Sequence, residues 1–247
     1  MKKVLTIIIL TITLLVNQTI LVSSQENLVD DKLMYDTIIT MLYPYINDEI
    51  INYYGYRKSY DLYNAEIKEI SKINGYRFNV KIHVKTFEHA HNPPYGNETI
   101  TFDISLSEIK PIDFKHQGDK YKKIIDQFYN KTLLDIKQSF SLNLDDYKEY
   151  KFNQFYHLAY TQETYSSLYK IVEDIILNKL QYNTKSGYKN VIKPVVYLKE
   201  KNGYILYKLS DGTNILYKVE KIDEIWRIKE KLSKQGKKME YKLKWYM

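Results

Sequence analysis

The chain contains no cysteine. That absence excludes disulfides, thiolate metal centres, a cysteine nucleophile and lipid attachment to an N-terminal cysteine, so packing and hydrogen bonding must hold the fold. Glycine is sparse, eight residues in 247, and these form neither a phosphate-cradling loop nor a Gly-x-Ser-x-Gly elbow around a nucleophilic serine. No His-Glu-x-x-His occurs, so the helical zinc-protease signature is missing too. Paired carboxylates such as Asp30-Asp31 and Asp145-Asp146 stand at expected helix starts, where they cap the backbone and favour the dipole. The body also lacks an excess of positive charge. Of the formal +7, Lys2 and Lys3 supply two, and 227–247 supplies six, with eight cations against Glu230 and Glu240; the body is left near −1. A nucleic-acid partner is therefore not expected.

The start of the chain is different in kind. Lys2 and Lys3 precede an uncharged run from Val4 to Val22, and small residues follow at Ser23-Ser24. Two cations, an apolar stretch and a small-residue exit describe a signal peptide over 1–24 with cleavage before Gln25. An uncleaved anchor is the alternative, because the run approaches the roughly 20 residues that span a bilayer. The expected location is secreted, or the outer face of the cell envelope.

Apolar residues at Ile38, Met41, Leu42, Tyr45, Ile46, Ile50 and Tyr53 recur every three or four positions, which predicts a helix from Asp31 to Tyr54, kinked or divided at Pro44. A period of two follows. Strands are expected at 60–70, then at Phe78 to Val84 after the Asn74-Gly75 turn, then at Ile100 to Leu106 and near Ile109 to Phe114. Gly118-Asp119 reads as a boundary, with Asp119 capping a helix from about Tyr121 to Ser139. A second helix carries Leu168, Ile171, Val172, Ile175 and Leu180. A further strand series runs through Asn202-Gly203 and Asp211-Gly212 hairpins. The fold class is α+β: two small units, 25–117 and 118–226, each with helices on a four-stranded antiparallel meander, and a basic tail at 227–247. The 26 tyrosines read as amphipathic stand-ins for Phe at core boundaries.

The stretches Met41-Leu42-Tyr43-Pro44-Tyr45-Ile46, Tyr53-Tyr54-Gly55, Tyr60-Asp61-Leu62 and His89-Ala90-His91-Asn92-Pro93-Pro94-Tyr95-Gly96, with Thr99-Ile100-Thr101-Phe102, carry a resemblance. Together they resemble an exported bacterial family known as domain of unknown function 3888, found mainly in spore-forming Gram-positive bacteria. The resemblance covers about 31–116 and implies a location, not an activity. The half after Gly118 looks like an extension of cystatin-like or NTF2-like type.

Two candidate chemistries remain. In the first, His89, His91, Asn92, Pro93, Pro94, Tyr95 and Gly96 form a rigid loop, with a cis bond at Pro93-Pro94, that contacts a ligand. The protein is then an envelope or secreted binding or scaffold module without a cofactor, and its partner is a protein or a wall polymer. In the second, an extended 88–91 segment puts His89 and His91 on one face as zinc ligands with His116 as a third, and the protein is a metal-assisted hydrolase of wall or peptide material. In either case the basic tail offers a weak contact to anionic membrane or wall. Asn97-Glu98-Thr99 and Asn130-Lys131-Thr132 match a glycosylation pattern that is coincidental in a bacterial exporter.

Overall fold

The computed structural model describes residues 30–89, 91–181 and 192–239. The leader, its Ser24-Gln25 junction and residues 240–247 of the basic tail lie outside the described residues. Among the described residues, no helix is long and apolar enough to cross a membrane.

The chain divides into two compact units between Tyr43 and Pro44. The division falls within helix α1, Asp31–Tyr54, which continues through Pro44 as one element rather than two. In the first unit the Asp30 carboxylate accepts the Lys32 amide at 2.9 Å, the capping role expected of an acidic residue at a helix start.

Both sheets belong to the second unit. The first is the meander β1 (Glu66–Asn74), β2 (Arg77–Glu88), β3 (Asn92–Ile104) and β4 (Ile109–Gly118), antiparallel throughout. Strand β1 begins six residues later than the alternation suggested. Tyr60 contributes only an isolated bridge to Thr86. The Asn74-Gly75 turn forms as expected, with Gly75 at φ 43°. One face of β2 and β3 buries Val80, Ile82, Val84, Ile100 and Phe102. Ile46 and Ile50 of α1 are fully buried, and Tyr45 meets the Phe102 ring edge-on at 6.4 Å.

The second sheet has five strands, one more than expected: β5 (Lys148–Tyr150), β6 (Ile192–Lys199), β7 (Asn202–Lys208), β8 (Thr213–Ile222) and β9 (Ile225–Gln235), again a meander. The addition, β5, is too short to show a period of two. Helix α2, Lys120–Ser139, covers one face with Leu133 and Ile136 against Val195, Tyr197, Leu206 and Leu216. Helices α3 (Phe152–Thr161) and α4 (Ser166–Asp174) cover the other, where Phe155, Leu168 and Val172 meet Val196, Ile205, Val219 and Trp226. The run Val195-Val196-Tyr197-Leu198 is buried on both sides, which explains why it lacks alternation. Residues 227–235, read as tail, are the body of β9.

One hairpin differs from the sequence reading, and another was not read from it. The β6–β7 turn is Glu200-Lys201, with Glu200 at φ 52°, and Asn202-Gly203 lies within β7. Gly203 is needed there for space, since a Cβ would stand 2.8 Å from the Tyr197 carbonyl oxygen. The β8–β9 turn uses Asp223 and Glu224, both at positive φ (48° and 63°), a primed turn made without glycine.

A buried ion pair fastens α2 to the sheet. Lys208, 1 % exposed, donates to Asp135 at 2.6 Å and to Asn214 at 2.8 Å. Asp135 also accepts from the Lys237 amide at 3.1 Å. Burial pushes the Asp135 carboxyl up, but the bonds from Lys208, Asn214 and Lys237 outweigh it, so its pKa lies below the ordinary value. A depressed carboxyl stabilises the fold above the unfolded pKa of about 4 and loses that contribution as pH falls through the folded value. Asp135→Asn leaves the Lys208 charge buried and should cost about 3 kcal/mol at pH 7 in urea unfolding. The gap to wild type should narrow at pH 3; an unchanged gap would show that the pair does not act this way.

Candidate functional site

The strands that carry the family-like segment converge on a single buried carboxylate. Counting inward positions back along β3 from Phe102 gives Ile100, Glu98, Gly96 and Pro94, all buried. Register sets Glu98 between Val84 of β2 and His116 of β4, and sets Gly96 opposite Thr86. Glu98 is fully buried and accepts three side-chain donors. The Tyr54 hydroxyl reaches it at 2.5 Å, the Thr86 hydroxyl at 3.0 Å and His116 Nδ1 at 2.9 Å. Removing a carboxylate from water costs several kcal/mol, and these donors offset it. Burial, and then the bond to Glu98, raises the Tyr54 phenol well above its usual pKa, so it remains a donor.

Gly96 makes this arrangement possible. A Cβ there would collide with the Glu98 carboxylate and the Thr86 hydroxyl and stand 2.6 Å from the Tyr54 hydroxyl. The need is for close approach, not for a special backbone angle.

An ionised carboxylate only accepts, so His116 carries its proton on Nδ1, and a neutral ring presents Nε2 as an acceptor. His116 is 15 % exposed at the side chain and lines a groove of about 420 Å³ between β4 and α2. Tyr53 forms the adjoining wall, stacked on Phe114 and tilted on His116, each at 4.9 Å. Lys122, Asp126, Gln127 and Asn130 project from α2 on the opposite side. Asp119 fixes the start of α2 by accepting the Lys122 amide at 2.9 Å, as its capping position predicted. Its other oxygen accepts the Tyr95 amide at 3.1 Å, which ties the groove's helix to β3.

A second polar cluster lies at the far end of β2. Lys58, only 6 % exposed, pairs with Glu88 at 2.5 Å, and the Tyr56 hydroxyl donates to Glu88 at 3.3 Å. Lys193 of β6 approaches the same carboxylate; burial lowers its pKa and Glu88 opposes that.

The residues singled out in the sequence are placed differently from expectation. His89 and His91 are not extended but form the β2–β3 turn, at φ 46° and 61°. His91 stacks on Phe87 at 4.0 Å, and its carbonyl accepts the Tyr95 hydroxyl at 2.6 Å. Asn92, Pro93, Pro94, Tyr95 and Gly96 are not a loop but the first residues of β3, with Pro93-Pro94 cis as expected. The Lys85 ammonium lies 4.0 Å over the Tyr95 ring. His116 pairs with Glu98, six residues along β3 from Asn92, so about 20 Å of strand separates it from the turn. The structure does not bring His89, His91 and His116 together. Among the described residues, no group of three or more His, Asp or Glu side chains could hold a metal ion.

Motif and spacing do not mark Tyr54, Thr86 and Glu98 as a site. The signal was available, since extending the inward register of Ile100 and Phe102 back by two puts a carboxylate on the apolar face.

Residues 34–117 match the family model described as protein of unknown function (DUF3888). The match spans α1 from its fourth residue and the first sheet up to the penultimate residue of β4, and the rest of the chain is not recognised. Comparison with curated proteins and with solved structures returned no match.

Gly96→Ala should lower stability by about 1–3 kcal/mol through overpacking. Tyr54→Phe should cost about 1.5–3 kcal/mol, the worth of a hydrogen bond to a charged group. Chemical denaturation of both variants checks this; wild-type midpoints would refute the role given to the cluster.

Proposed function

We propose that this chain is an exported binding or scaffold protein of the cell envelope, and that the groove beside His116 is where it meets a polymer of the wall. The observation that carries the reading is the Glu98–His116 contact. It holds the imidazole with one nitrogen engaged inside the sheet and the other toward a groove rich in donors and acceptors. Glu98, Thr86 and Tyr54 are engaged with one another and, with His116, tie three strands to α1, which is a structural use of these groups. Gln127 and Asn130 lie three apart on α2, so their amides share a face, and Tyr53 lines the same groove. Amides, an imidazole and a tyrosine suit the hydroxyl and amide groups of a polysaccharide or peptide strand. The leader of Lys2, Lys3 and Val4 to Val22 supports export. Exposed Arg227 on β9 favours a weak supplementary contact with an anionic surface.

The alternative of a metal-assisted hydrolase through His89 and His91 has less support, because both residues stand in the β2–β3 turn at positive φ rather than extended side by side, and His116 lies well along β3 from them.

Two measurements test the proposal. The mature protein recovered from culture medium or envelope should begin at Gln25; an intact leader would replace release with tethering. The purified chain should co-sediment with isolated cell wall, and the double change Gln127→Ala with Asn130→Ala should weaken this about tenfold. Failure to co-sediment, or release of soluble wall fragments during incubation, would overturn a binding role.

A further inference from the structure

The second sheet carries a cavity that has no part in the His116 groove. It lies between the π-helical turn Ile175–Gln181 and the sheet and measures about 250 Å³. Turns of this kind interrupt regular helices and occur often at functional sites. Strand register builds its floor: Tyr207, Ile215 and Ser233 stand in one row, and Tyr217 stands beside Lys231 in the next, all on one face. Leu209 and Ile215 supply apolar wall.

The polar groups do not balance. Tyr207 and Tyr217 are 2 % and 5 % exposed, and their hydroxyls share one hydrogen bond at 3.2 Å. Two phenols bring two O–H donors, and one shared bond uses only one of them. The second donor is therefore free to bond an acceptor that enters the cavity. Burial, and then the bond to Tyr217, raises the Tyr207 pKa, so Tyr207 stays a donor at neutral pH. Lys231 lines the exposed side with its ammonium 4.9 Å over the Tyr217 ring. Asp174, the carboxylate felt by Tyr207, already accepts from Asn178 at 2.6 Å. What complements these walls is an acceptor that carries negative charge on an apolar body.

We propose that this cavity binds a short-chain carboxylic acid as its anion. One carboxylate oxygen accepts the unused tyrosine O–H, the charge faces Lys231, and the hydrocarbon lies along Leu209 and Ile215. The volume is slightly below the roughly 300 Å³ at which ligand pockets begin, which limits the guest to a small acid. The site lies outside the segment matched by the family model and does not depend on the wall-binding role.

Calorimetric titration of the purified chain at pH 7 with hexanoate, hexanol and hexylamine tests it. Hexanoate should bind, hexanol should bind about tenfold more weakly or worse, and hexylamine should give no heat. Tyr217→Phe should weaken hexanoate about tenfold, and so should Lys231→Gln, whose exposed position leaves thermal unfolding unchanged. If Tyr217→Phe fails to fold, Lys231→Gln decides alone. Equal affinity for hexanol and hexanoate, an unaltered hexanoate affinity in Lys231→Gln, or no hexanoate binding at millimolar concentration would each overturn the assignment.

Discussion

A carboxylate with no access to water sits at the centre of the first sheet, and the arrangement around it follows from the need to satisfy it. Glu98 is approached by a hydroxyl from α1, a hydroxyl from β2 and an imidazole from β4. An unpaired buried charge is far costlier than any one of these bonds is favourable, so the donors must arrive together. That requirement sets the position of the end of α1 over the sheet, forbids a side chain at residue 96, and fixes the tautomer of His116. The groove inherits its chemistry from the same constraint, because an imidazole held from inside can only present its outer nitrogen.

The second sheet solves the corresponding problem with an ion pair. Lys208 and Asn214 point from β7 and β8 toward Asp135 of α2, so the helix is located by charge as well as by Leu133 and Ile136. Helix α2 is thereby common to both halves of the second unit. Its start is capped by Asp119, which also holds Tyr95, and its end is fastened to the later sheet. A further link crosses near Gly55, where the Gln154 amide of α3 donates to the Tyr54 carbonyl at 3.0 Å. The tyrosines fit this pattern. Those at positions 54, 56, 129, 197 and 207 are buried enough to raise their pKa, and Tyr54, Tyr56, Tyr197 and Tyr207 also donate a hydrogen bond inside the protein.

Where sequence reading succeeded and where it failed divides along physical lines. Alternation over 78–84 and the helical spacing over 121–139 report which face is apolar, a property each segment carries alone, and both appear as strand and helix. The segment from Asn92 to Gly96 was misread because proline, asparagine and glycine are turn formers in isolation. Here Pro94 and Gly96 occupy inward positions, and Gly96 is small because a carboxylate lies against it. The same error occurred at Asn202-Gly203, a strong hairpin signal whose glycine instead relieves crowding within a strand. His89 and His91 looked like a ligand pair only while their backbone was assumed extended, and positive φ at both turns that spacing into part of a hairpin.

From the sequence alone followed the mixed α+β class, the antiparallel meanders and the family-like segment, since these depend on periodicity and composition within short windows. The absence of cysteine likewise excluded whole classes of chemistry without reference to a fold. Tertiary structure alone decided which polar residues meet. Tyr54, Thr86, Glu98 and His116 span 62 positions, and Lys208 and Asp135 are separated by 73. Contacts across such distances are fixed by strand register and helix placement, and both are set by the cooperative burial of the whole core. A buried charge needs partners from several elements at once, and no local window of residues contains that information.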